Sequence, residues 1–153
     1  MQAAAATLAS SRPAALALRY RGVNVVPHRH QPRSRSSVAA SQRKVVDFAE
    51  AYVRAHLDAS IPLARLCRMV GLSERGLRNA FYGVHGISPK RWMLAERLLS
   101  VRRALSDAAQ PMTVTRAAMG FGFYDLGRFA AVYKLAFGEA PSETLRGAHK
   151  KSA

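Results

Sequence analysis

A chain of 153 residues, 49% of them hydrophobic, has the size of one ordinary domain and enough apolar side chains to bury a core. Its formal charge of +15 and isoelectric point near 11.3 favour a polyanionic partner, nucleic acid ahead of an anionic membrane surface. No apolar run approaches the roughly 20 residues of a membrane span, and the single cysteine, Cys67, excludes both an internal disulfide and a cysteine-based zinc site.

From Met1 to Val46 there is no Asp or Glu, and eight of the 24 basic residues lie there, from Arg12 to Lys44; the remainder of the chain still carries +7. Alanine and serine clusters, prolines and the lack of sustained periodicity predict a disordered basic tail over residues 1–40. A flexible extension, an organelle transit peptide and a non-specific DNA-binding arm all share this composition. His28 and His30 form a His-x-His without further ligands nearby, which does not make a metal site.

From about Ser41 the pattern becomes helical. Val45, Phe48, Tyr52 and His56 share one face, with Ala49 and Val53 beside them, and predict a first amphipathic helix ending near Leu57. Asp58 to Ser60 reads as a turn, and Pro62 opens a second helix with Leu63, Leu66, Cys67 and Val70 facing inward until Gly71 stops it. Ser73 is placed to cap a third helix, with Leu77 and Phe81 buried and Glu74, Arg75, Arg78, Asn79 and Tyr82 outward; Gly83 and Gly86 end it. Ser88 and Pro89 then supply the N-cap and first-turn proline of a long connector helix reaching Asp107, with Leu94, Leu98, Val101 and Leu105 on one face. Such a helix is roughly 30 Å long, close to the roughly 34 Å between successive major grooves on one side of B-DNA.

Beyond the connector the same order returns, with helices expected from about Thr113 to Gly120 and from about Asp125 to Phe137. Cys67 and Ala118 are 51 positions apart, as are Gly71 and Gly122, whereas Leu77 and Phe129, Phe81 and Tyr133, Gly86 and Gly138, and Pro89 and Pro141 are 52 apart. The chain therefore contains a duplication with one residue inserted in the second turn. A small residue, a glycine four later and an apolar residue six or seven beyond is the steric pattern of a helix-turn-helix, since crossing helices need a small contact side chain and the reversal needs positive φ. Cys67 is a packing residue on this reading.

These blocks carry a resemblance. GLSERGLRNAFYGVHGISPKRW, the RLLSVRRAL segment from Arg97, and GFGFYDLGRFAAVYKLAFGEAPSETLR, with Tyr133, Lys134, Gly138, Pro141 and Arg146, resemble the DNA-binding domain of the AraC/XylS family of bacterial transcription regulators. The likeness runs from Ser41 to Arg146. It implies an all-α fold of about seven helices over residues 41–147, with two helix-turn-helix units on the connector and a basic C-terminal tail at 148–153. It also implies two reading helices laid in adjacent major grooves of promoter DNA, RNA polymerase as a partner, and location in the bacterial cytoplasm on the nucleoid.

Carried over by position, the first unit presents Ser73, Glu74, Arg75, Arg78, Asn79 and Tyr82 to DNA. Arg75 and Arg78 have the donors for a guanine edge, and Asn79 those for adenine. The family commonly has glutamine and arginine where this chain has Arg78 and Asn79. In the second unit Gly127, Ala130 and Ala131 replace the family's serine, serine and arginine, leaving Tyr124, Asp125, Arg128 and Lys134 as polar candidates, more for phosphate than for base edges. Ala117 stands in place of a larger aliphatic core residue. Lys90 and Arg91, at the connector's first turn, are phosphate candidates. Trp92 and Phe137 read as core, and Arg97 and Arg102 as phosphate contacts or interhelical partners.

The leading expectation is a sequence-specific transcription regulator, more often an activator in this family, for which a monomer suffices geometrically and a dimer is not excluded. The alternative is a truncated, largely non-specific basic DNA-binding protein without effector response. No paired carboxylates, nucleophile motif or metal-ligand set appears at workable spacing, so neither an enzyme nor a cofactor is expected.

Overall fold

The computed structural model describes residues 35–59, 61–109 and 112–152. His28, His30 and the expected tail up to residue 34 lie outside these. Seven helices follow in order: α1 (Arg35–Ala55), α2 (Leu63–Val70), α3 (Glu74–His85), α4 (Pro89–Ser106), α5 (Val114–Gly120), α6 (Leu126–Phe137) and α7 (Pro141–Ser152), with no strand among the described residues.

The helix boundaries follow from local chemistry. Ser73 accepts a hydrogen bond from the Gly76 N–H at 3.2 Å, Thr113 from Arg116 at 3.1 Å and Asp125 from Arg128 at 2.9 Å, each satisfying an orphan donor of its helix. Gly71 and Gly122 hold φ of 67° and 77°, and Gly86 and Gly138 hold 69° and 79°. The duplication read from residue spacing is therefore also a duplication of backbone conformation. Its inserted residue can be named. Leu72 N–H donates to Cys67 O, and Phe123 N–H donates to Ala118 O, both at 3.0 Å; these pairs keep one offset, while the caps Ser73 and Asp125 have moved to the next. Tyr124, between Phe123 and Asp125, is the extra residue, and it stands 71% exposed.

The helices enclose two cores that share α4. The first gathers Val46, Ala49 and Val53 of α1, Leu66 of α2, Leu77 and Phe81 of α3, and Trp92, Met93 and Ala95 of α4. The second gathers Leu98, Val101 and Leu105 of α4 with Ala117, Ala118, Phe129, Tyr133 and Ala136. The expected stripe on α4 is thus the face toward the second core, with half-buried Leu94 at its edge; Trp92, Met93 and Ala95 form another face, toward the first. At 18 residues α4 is about 27 Å long.

Several expectations are corrected. α1 begins at Arg35, so residues 35–40 are helix rather than tail, and α7 runs on through residues 148–152. The inward face of α1 is centred on Val46, Ala49, Glu50 and Val53, whereas Phe48 is 53% exposed. The helix is rotated by about one residue from its most aromatic stripe because Glu50, buried at 6%, has partners in Arg54 and His85. Gly83 lies inside α3, which ends one turn later at the left-handed Gly86.

Candidate nucleic-acid interface

α3 is the second helix of the first helix-turn-helix. Its inward side is fixed by Leu77, Ala80 and Phe81, all fully or almost fully buried, which leaves the opposite side to solvent. Arg75, Arg78, Asn79 and Tyr82 are spaced as one helical face; the first three are exposed and Tyr82 is half-buried. Among the described residues, Arg75 and Arg78 have no carboxylate partner. Ser73 and Glu74 stand at the helix start, where Ser73 caps and Glu74 supplies the first-turn acid.

α6 is the corresponding helix of the second unit. Phe129, Tyr133 and Ala136 turn inward, and Tyr133 donates to or accepts from Thr144 at 2.9 Å. Arg128 and Lys134 are exposed, but so are Gly127, Ala130, Ala131 and Leu135 beside them. The Asp125 carboxylate is occupied as the α6 cap. The outer surface of α6 therefore offers few donors compared with α3.

Between the starts of α2 and α3 and the first half of α4, Pro62, Leu63, Glu74, Lys90, Met93 and Arg97 line an open groove of about 490 Å³. Lys90 is exposed there, while Arg91 is half-buried and its N–H donates to the Ser88 cap at 3.4 Å. Two further connector arginines, Arg97 and Arg102, reach partners on other segments. Arg97 donates to the Ala59 carbonyl at 2.8 Å, and Arg102 pairs with Glu139 at 2.9 Å and lies 4.5 Å from the Phe137 ring centroid. Trp92 is fully buried and Phe137 is half-buried against the second core. Cys67 is buried, and desolvation, aided by the charge of Glu74, pushes its thiol pKa upward. That disfavours the reactive thiolate.

Beneath α3 lies a charged cluster that the sequence does not announce. Arg54 Nη2 pairs with Glu50 and Arg54 Nε with Glu96, each at 2.9 Å, and His85 at the end of α3 meets the other oxygen of Glu50. Burial opposes the Arg54 charge, yet the hydrogen bond and charge of Glu96, with Glu50 behind it, raise its pKa above the ordinary value. Only the i, i+4 spacing of Glu50 and Arg54 was visible in the sequence. The cluster ties α1, α3 and α4 together and so holds the outward face of α3 in place.

Two helix-turn-helix units on a shared helix, one with an open cationic face, define a double helix-turn-helix DNA-binding domain. A family model described as a helix-turn-helix domain matches residues 66–147. The chain is 40% identical over 114 residues to the XylDLEGF operon transcriptional activator of Pseudomonas putida, covering 74% of this chain and 34% of that protein. It is 38% identical over 103 residues to the probable thc operon regulatory protein of Rhodococcus erythropolis, covering 67% of this chain and 31% of that protein. Among solved structures, a probable AraC family transcriptional regulator from Rhodopseudomonas palustris superposes with a TM-score of 0.63 at 41% identity, over 69% of this chain and 97% of that one. A regulator from Chromobacterium violaceum shares the fold at 21% identity, with a TM-score of 0.66 over 71% of this chain and 96% of that one. The chain belongs to the AraC/XylS family, whose members are regulators of transcription rather than enzymes. It spans about a third of the length of the two curated regulators above.

Proposed function

We propose that this chain binds promoter DNA sequence-specifically, laying α3 and α6 into adjacent major grooves on one face of the duplex, and that it activates transcription. The observation that carries the reading is the α3 face of Arg75, Arg78 and Asn79, left open to solvent beside half-buried Tyr82 and, at both arginines, without a carboxylate partner among the described residues. Arg75 and Arg78 donate to guanine edges and Asn79 to adenine, with Tyr82 at the groove wall. Ser73, Glu74 and Asp125 shape the helix starts, so their contribution to DNA is orientation rather than base reading. The second unit contributes phosphate contacts through Arg128, Lys134 and Tyr124, and Lys90 and Arg91 add others from the start of α4. RNA polymerase is the protein partner, and one copy of the chain supplies both reading units. Activation is the role in the name of the Pseudomonas putida relative.

Selection from a random duplex library at physiological salt, with the intact chain and an Arg78→Ala, Asn79→Ala variant, tests this. A motif spanning about two helical turns, one half of which degrades in the variant, is the expected result. Binding without any enriched motif would instead leave a basic DNA-coating protein, held by phosphate neutralisation alone.

A further inference from the structure

Arg97 sits midway along α4, between Ala95, which belongs to the first core, and Leu98, which belongs to the second. Its side chain enters neither core. Instead Nη2 donates to the carbonyl of Ala59, in the turn between α1 and α2, at 2.8 Å. From the other side the turn of the second helix-turn-helix closes on the same place. A Cβ built at Gly122 would stand 3.4 Å from the Asp58 carbonyl oxygen, 3.9 Å from that of Leu57 and 4.0 Å from Arg97 Cζ. Gly122 has φ of +77°, so the residue that makes the reversal of the second unit also lies against the turn of the first. Three segments distant in sequence therefore meet around one guanidinium. Desolvation there lowers the Arg97 pKa, with the nearby inserted residue, Tyr124, opposing the shift.

α4 supplies residues to both cores, and this meeting point adds a second link between the units. We propose that Arg97 is a positioning residue: by bonding the first unit's turn against the turn of the second, it holds α3 and α6 at one mutual orientation, and so sets the spacing of half-sites the chain accepts. The spacing consequence rests on the two-groove reading above; the orientation does not. One inserted base pair displaces a half-site by roughly 3.4 Å and rotates it by roughly 35° about the duplex axis, and a clasped pair of reading helices meets only one such phase.

The experiment compares the intact chain with Arg97→Met, which keeps the apolar stem and removes the donor. Residual dipolar couplings are measured on the free proteins, and affinity is measured for the selected duplex and for the same duplex with one base pair inserted between the halves. In the intact chain one alignment tensor is expected to fit both units. In the variant each unit needs its own, and the penalty for the inserted base pair falls by about tenfold, the scale of one charge-assisted hydrogen bond, while base preferences within each half stay unchanged. Arg97→Lys, which keeps a cationic donor, restores most of the penalty.

A single tensor and an undiminished spacing penalty in Arg97→Met, with the salt slope of binding reduced by about one, would make Arg97 a phosphate contact and overturn the proposal. If the intact chain selects no motif, the two-groove reading fails while the alignment data still decide the clasp. Should Arg97→Met not fold, Arg97→Gln, polar but too short to reach the Ala59 carbonyl, takes its place. Separate tensors in that folded variant support the clasp, and an unchanged common tensor refutes it.

Discussion

Replacing Arg54 by methionine removes the cation that Glu50 and Glu96 share. Glu50 retains His85, but Glu96, whose side chain is 3% exposed, loses its partner at Oε1, and its Oε2 already has no hydrogen-bond partner. A buried carboxylate is then left alone, a change that destabilises folded proteins by about 3–5 kcal/mol. The Arg54 side chain is 41% exposed, so water enters beside the shorter residue and the lower end, about 3 kcal/mol, is expected. Against a domain stability of about 5–15 kcal/mol this loss is about a fifth to three-fifths of the total. Urea unfolding measures the loss as a shift in midpoint. Trp92, the only tryptophan, lies 5.2 Å from the Arg54 guanidinium carbon and reports the cluster directly by fluorescence. The double variant Arg54→Met, Glu96→Met removes both charges and should recover most of the loss, because the desolvation that burdened the pair goes with them. A loss below about 1 kcal/mol in the single variant, or a double variant no better than the single, would refute this account of the cluster.

Three other outcomes are expected. Burial raises the Tyr133 pKa above 10.0, so the folded state keeps a proton that the unfolded chain releases; stability is full below pH 10, falls as pH rises through the folded pKa, and loses this alkaline dependence in Tyr133→Phe, as followed by thermal unfolding against pH. Gly71→Ala meets no atom within 4 Å but must hold φ of +67°, and should lower stability by about 1 kcal/mol through backbone conformation alone; a neutral result in denaturant titration would contradict that. Lys90→Ala should weaken binding to every duplex alike and reduce the salt slope by about one without changing the selected motif, whereas a changed motif would move Lys90 to a base edge.

What was legible in the sequence was local. The turn glycines, the caps Ser73 and Ser88, and the inward pairs Leu77 with Phe81 and Phe129 with Tyr133 are set by backbone conformation and helical period, which act within a few residues and repeat when the segment repeats. The outward set of Arg75, Arg78 and Asn79 followed once Leu77 and Phe81 had fixed the inward side. The face of α1 was misread for a physical reason: apolar periodicity favoured Phe48, while the structure spends that position on solvent and buries Glu50. No periodicity reveals that a glutamate is tolerable in a core, because the tolerance comes from His85, 35 residues away, and from Arg54 facing Glu96 on another helix.

The connector makes the same distinction. Its existence, its cap and its length were written in consecutive residues, since each turn of a helix depends on its immediate neighbours. Which of its cations are held by partners within the fold was not, because an arginine carries the same charge paired or exposed. Packing brought Ala59 and Glu139 within reach of Arg97 and Arg102 and left Lys90 on the rim of the groove. The sequence by itself thus determined the two repeated units and the outward sides of α3 and α6, whereas only tertiary structure decided how the units are held to one another, since that depends on long-range partners that no local pattern encodes.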